Sequence, residues 1–154
     1  MKKILFLVAL LLACSLGANA ELSQHAILKD LKGKQHRLID YQGKWVLVNY
    51  WATWCPPCLE EVPDLIDIYD RYKDKKLVLI GIAVDYQSEQ QVFNFVDDML
   101  MSYPIVLGTP KLIAQIGRAE VLPSTYIYNP KGQLVKIKRG VITREEVDAL
   151  MAGK

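Results

Sequence analysis

Two short apolar runs, Trp45–Trp51 and residues 77–84, stand either side of a segment whose apolar residues recur every three or four positions. The runs are nearly unbroken and rich in β-branched side chains, which suits strands covered on both faces inside a helix-flanked parallel sheet. Between them Leu59, Val62, Leu65, Ile66, Tyr69 and Tyr72 mark one face of an amphipathic helix, with the acids assigned to the other face. Strand, helix, strand is a βαβ unit, so the strands are expected to be parallel and the crossover right-handed.

Around this unit the punctuation predicts the remaining elements. Residues 24–28 and 35–38 flank Asp30-Leu31-Lys32-Gly33, whose leading Asp and closing Gly are turn chemistry, so an N-terminal β-hairpin is expected. A helix is expected over 88–101, where Val92, Phe95, Val96 and Leu100 make a stripe, then a short strand over 104–107 and a short helix over 111–116 ended by Gly117. Ser124–Tyr128 and Leu134–Arg139 bracket Asn129-Pro130-Lys131-Gly132, a type I turn with Pro second and Gly fourth. Thr143, followed by Glu145 and Glu146, opens a closing helix whose Val147, Leu150 and Met151 face inward. The expected fold is α/β: a mixed central sheet with helices on both faces and an added N-terminal hairpin.

Lys2 and Lys3 precede an apolar run over 4–13, and Ala18-Asn19-Ala20 offers a small-x-small cleavage site, the three-part pattern of a secretory signal. The run is about half of the roughly 20 residues a membrane-spanning helix needs. Residues 1–20 are expected to direct export to the periplasm and be removed, leaving 21–154 as one domain. Leu11-Leu12-Ala13-Cys14 also resembles a lipoprotein box, which would anchor the chain by lipid at Cys14. By either route Cys14 stands outside the fold. Loss of the signal removes two lysines and no acid, so 19 basic and 17 acidic residues become 17 of each. A neutral chain lacks the basic footprint of a nucleic-acid binder.

The exported chain then keeps two cysteines, Cys55 and Cys58, at the junction of the first buried strand and its helix. In open α/β sheets this carboxyl end of a strand is where chemistry collects. A bridge across so short a loop removes little unfolded-state entropy, on the order of 2 kcal/mol against ~4 for loops of a hundred residues, so stapling is a weak reason for the pair. Thiol–disulfide exchange is a stronger one. It needs a thiolate, and a free thiol near pKa 8.5 is mostly protonated at neutral pH. With Cys55 capping the helix, its sulfur meets unpaired N–H groups and the positive end of the dipole. Pro56 and Pro57 suit the first turn, where no donor is needed. Cys55 is expected to be the exposed attacking thiolate and Cys58 the more buried thiol that resolves the mixed disulfide.

Other uses of the pair have less support in the residues. Zinc would need two more ligands, and the candidates His25 and His36 lie eleven residues apart in or beside the hairpin. Attachment of c-type haem needs His directly after Cys58, where Leu59 stands. Glu61, three residues beyond Cys58, is placed to move protons to or from that thiol, or is one more acid in the first turns beside Glu60 and Asp64. Pro123 opens a strand, and by base rate its peptide bond is trans. Pro63 falls in mid-helix and should bend it near Leu59.

The stretch Trp51-Ala52-Thr53-Trp54-Cys55-Pro56-Pro57-Cys58, with Glu61-Val62-Pro63 after it, closely resembles the TlpA/ResA-type branch of the thioredoxin superfamily. Gly43-Lys44, Val84-Asp85 and Pro123-Ser124-Thr125 extend the likeness over almost all of 21–154, read accordingly as a thioredoxin-like domain. The resemblance implies an exported protein-disulfide reductase without cofactor or metal. It makes Pro123 a cis-proline, with Leu122, Pro123, Trp54 and Pro56 as the substrate-contacting set, and it makes Glu61 functional. It sets Asn49 where cytoplasmic thioredoxins carry a buried aspartate. It implies a monomer that takes electrons from a membrane thiol-disulfide reductase and passes them to protein disulfides, often those of apocytochrome c. Two rivals remain: an oxidase running the same exchange in reverse, and a non-catalytic module that handles metal or haem. A peroxidase is disfavoured because Thr53 and Cys55 lack the proline-led peroxidatic pattern of peroxiredoxins.

Overall fold

The computed structural model describes residues 25–73 and 75–152. The expected signal, Cys14 and the first position of the hairpin lie outside these residues.

Strands β1 (Ile27–Lys29) and β2 (Gln35–Arg37) form the hairpin. Its turn is held by Asp30, whose Oδ1 accepts from the Lys32 and Lys34 N–H groups, while Gly33 takes a positive φ of 83°. A 3-10 turn, Leu38–Tyr41, leads into β3 (Trp45–Trp51). Then follow α1 (Pro56–Tyr72), β4 (Leu77–Ala83), α2 (Glu89–Asp98), β5 (Ile105–Leu107), α3 (Pro110–Ile116), β6 (Ser124–Tyr128), β7 (Leu134–Arg139) and α4 (Arg144–Met151). The main sheet runs β5-β4-β3-β6-β7. β3, β4 and β5 are parallel, and β6 and β7 are antiparallel, as the βαβ unit and the Asn129 turn require.

Alternate residues of β3 serve two cores. Leu47 and Trp51 join α1, α2 and α4 on one face, where Val62, Leu65, Ile68, Val92 and Val147 are buried. Val46, Val48 and Tyr50 join the hairpin and α3 on the other. Burial on both sides explains why the β3 and β4 sequences are continuous rather than alternating.

Two expectations about helix faces need correction. On α1 the buried residues are Cys58, Glu61, Val62, Leu65 and Ile68, while Leu59 is half-buried. One acid therefore sits on the inward face, and Ile68 replaces Leu59 in the stripe. Helix α2 stops at Asp98, short of 101, and Leu100 is 80% exposed instead of facing in. The Leu100 N–H bonds Asp97 O and the Met101 N–H bonds Val96 O, the pattern of a Schellman ending. Leu100 takes the left-handed position at φ 54°, and the turn brings Met101 into the core.

Helix α4 begins with a complete capping box, in which Thr143 Oγ1 accepts from the Glu146 N–H and Glu146 Oε2 accepts from the Thr143 N–H. Thr143→Ala is expected to cost about 1 kcal/mol, measured as a lowered urea midpoint with unchanged slope.

Candidate active site

Strand β3 ends at Trp51, and the chain turns at once into α1, so the cysteine pair lies at the carboxyl edge of the sheet. Cys55 is the N-cap, with Pro56 and Pro57 in the first turn, and its carbonyl accepts from the N–H groups of Cys58 and Leu59. Cys55 and Cys58 are joined as a disulfide, with Cα atoms 5.3 Å apart.

The expected contrast in exposure is absent in this oxidised form. Cys55 is 3% exposed and Cys58 1%. Both residues, joined by the bond, belong to the core cluster under α1. Helix-end N–H groups are not capped by the Cys55 side chain while the bond is intact.

Trp54 is 57% exposed, and its Nε1 donates to the Asp85 carbonyl at 3.0 Å, tying it to the loop after β4. Asp85 reaches that position with a positive φ of 52°. Pro56 is exposed beside it. The Leu122–Pro123 bond is cis, as the family likeness implied and against the base rate. Half-buried Leu122 packs against the cluster that holds both cysteines, while Pro123 is buried and its carbonyl accepts from the Gly140 N–H.

Beneath the pair lies a small polar island. Glu61 is 1% exposed; its Oε1 accepts from Asn49 Nδ2 at 2.8 Å and its Oε2 from the Ile142 N–H at 3.1 Å. Asn49 Nδ2 also donates to Thr125 Oγ1 at 3.1 Å. These residues converge because Asn49 and Thr125 are paired across β3 and β6, on the face that α1 covers. Burial pushes the Glu61 carboxyl up to about 7, against the two hydrogen bonds that favour its charge. A carboxyl held near neutral pH, one helical turn from Cys58, has the proton affinity that acid–base work needs. Glu61 is thus no ordinary surface acid of the first turns.

Thr125 and the Ile142 N–H were not anticipated as parts of this site, although a polar Thr within the buried strand Ser124–Tyr128 was a usable signal. His36 is engaged elsewhere: Nε2 bonds Asp30 Oδ2 at 2.8 Å and Nδ1 bonds the Tyr41 hydroxyl, so it stays with the hairpin. Among the described residues no group of three or more His, Cys, Asp or Glu is placed to hold a metal ion, and no helix is long and apolar enough to cross a membrane.

This arrangement has relatives. The model of the AhpC/TSA family matches residues 21–137. The thiol-disulfide oxidoreductase ResA of Geobacillus kaustophilus is 32% identical over 122 residues, covering 79% of this chain and 70% of that protein. StoA from Bacillus subtilis superposes with a TM-score of 0.71 at 26% identity, covering 81% of this chain and 94% of that one. The exposed lipoprotein thioredoxin Etrx1 of Streptococcus pneumoniae does so with a TM-score of 0.72 at 25% identity, covering 83% and 98%.

Proposed function

We propose, on the premise that this chain belongs to the AhpC/TSA family and within it to the thioredoxin-like thiol-disulfide oxidoreductases of the ResA type, that it reduces disulfides of exported proteins through Cys55 and Cys58. The observation that carries this is the Cys55–Cys58 bond at the start of α1 with buried Glu61 one turn away. In the reduced enzyme the Cys55 thiolate attacks one sulfur of a client disulfide, and the other client sulfur leaves as a thiolate. Cys58 then loses its proton and attacks the Cys55 sulfur, which releases the second client thiolate. Two electrons pass to the client, and the enzyme ends as the disulfide described above.

Glu61 is assigned as the group that takes the Cys58 proton and returns it on re-reduction. Trp54, Pro56, Leu122 and Pro123 are assigned to hold the client's extended backbone and side chains. The enzyme is placed in the periplasm as a monomer, re-reduced by a membrane thiol-disulfide reductase, with apocytochrome c as the first client to try. The leader pattern over 1–20 supports export; for the alternative route, cleavage before Cys14 with a lipid anchor there, the name of Etrx1, an exposed lipoprotein, is the support.

Direction is tested by the midpoint potential of the Cys55/Cys58 couple. A value near about −270 mV is expected of a reductant, whereas one near about −120 mV would make the protein a disulfide donor.

A further inference from the structure

The carboxyl of Glu61 is met by donors alone, the Asn49 Nδ2 and the Ile142 N–H. That suits a carboxylate, which only accepts. A protonated Glu61 has an O–H to place, and neither of these groups can take it as they stand. The Ile142 amide is backbone and fixed. Asn49 is not, because its side chain carries an acceptor as well as a donor.

That acceptor is idle. Asn49 is 0% exposed, its Nδ2 serves both Glu61 and Thr125, and its Oδ1 is buried with no partner among the described residues. Buried acceptors without partners are rare enough to need a reason. A half-turn about the last side-chain bond exchanges the two ends of the amide. Oδ1 then faces Glu61 and Thr125, accepting from the acid O–H and from a threonine hydroxyl that rotates to donate.

The two ends of an amide are close in size, so the turned side chain fills the space it already occupies. The neighbouring strand is packed against it: at Gly81, the register partner of Asn49 on β4, a Cβ would lie 2.7 Å from Ile105 Cδ1 and 3.1 Å from both Trp51 Nε1 and Tyr103 Cε2. Trp51 Nε1 and the Tyr103 hydroxyl are themselves buried without partners among the described residues.

We propose that Asn49 is a positioning residue for Glu61, its amide turning over as Glu61 gains or loses a proton so that it donates to the carboxylate and accepts from the acid. This rests on the assignment of Glu61 as the proton carrier for Cys58. Other groups facing Glu61 leave Asn49 as the responder. On α1 the nearest is Cys58, tied in the disulfide. Thr125 on β6 does not titrate. Lys138 on β7, opposite Thr125, is paired with Glu146 of α4 at 2.6 Å. Before β5, Tyr103 is deeply buried and pushed up in pKa, first by that burial and then by the charge of Glu61. The asparagine thus gives the buried acid a matched partner in both states, which a fixed donor could not.

The test uses the oxidised protein, labelled for NMR, between pH 5 and 9. Cross-relaxation from the Asn49 amide hydrogens to the Thr125 side chain is expected above the midpoint of the Glu61 carboxyl carbon and is lost below it. Glu61→Gln should abolish the change. Contacts that persist unchanged across the Glu61 titration would overturn the proposal. None of these readouts involves a client. If exchange activity proves indifferent to Glu61 while the NMR coupling holds, the role of Glu61 in catalysis falls and the turning amide stands.

Discussion

Cys58→Ser is expected to leave the first half of the exchange running and stop the second, so that client protein accumulates on Cys55 as a mixed disulfide. Multiple-turnover reduction should fall about a thousandfold or more. The argument is geometric and chemical. Cys58 lies three residues along the first turn of α1, with its Cα 5.3 Å from that of Cys55, so among the described residues it alone is placed to displace a client from that sulfur. A serine oxygen there is no substitute, because a hydroxyl is scarcely ionised at neutral pH and attacks sulfur poorly. Cys55→Ser should behave differently. It removes the sulfur assigned as the attacking thiolate, so neither adduct nor turnover is expected. Non-reducing electrophoresis with mass measurement on an insulin substrate distinguishes the two variants. Adduct formed by the Cys55→Ser protein would mean the roles are reversed. Zinc bound by the unaltered protein with no turnover would point instead to a ligand-handling module.

The architecture was legible because each element carried its own local signal. Continuous apolar runs marked strands buried on both faces, and the Asp30 and Asn129 turns were written in residues whose side chains and φ values make those turns. The reaction was legible too, since two cysteines at a strand–helix junction leave few other uses. What periodicity missed lies where tertiary contact decides. The spacing of Glu61 from Cys58 set it on the same side of α1 as that thiol, but its hydrogen-bond partners and full burial were not legible. Its environment is supplied by Ile142, 81 residues later, and by Thr125, which reaches it through Asn49 across 76 residues. No local pattern encodes such separations. The burial of Cys55 was likewise hidden, since its place in the core cluster is a tertiary contact that the residues flanking it do not signal. The ending of α2 was hidden for a third reason: a leucine holds the left-handed position that usually signals itself with glycine.

Raising the pH from 5 to 9 is expected to destabilise the oxidised protein by up to roughly 3 kcal/mol through Glu61 alone. Its carboxyl has an ordinary value of 4.5 when solvated and is pushed up to about 7 in the fold, first by burial. Between those values the folded state holds a proton that the unfolded state has released. The contribution to stability is therefore complete below about 4.5 and is lost as pH rises through about 7, where folding must keep a carboxylate in the core. Asp30 and Glu146 are shifted the opposite way, both lowered by hydrogen bonds to partners, against the desolvation that is the largest influence on Asp30. Their effect falls at acid pH, where stability drops as they protonate, so it does not blur the window above pH 5. Urea unfolding of the oxidised protein at intervals across that window should show the decline. In Glu61→Gln the slope should be largely removed, because the amide does not ionise, although it can accept from only one of Asn49 and Ile142 at a time. A wild-type curve that is flat from pH 5 to 9, or a Glu61→Gln curve as steep as wild type, would show that this carboxyl does not titrate in the core. It could not then exchange a proton with Cys58 near neutral pH.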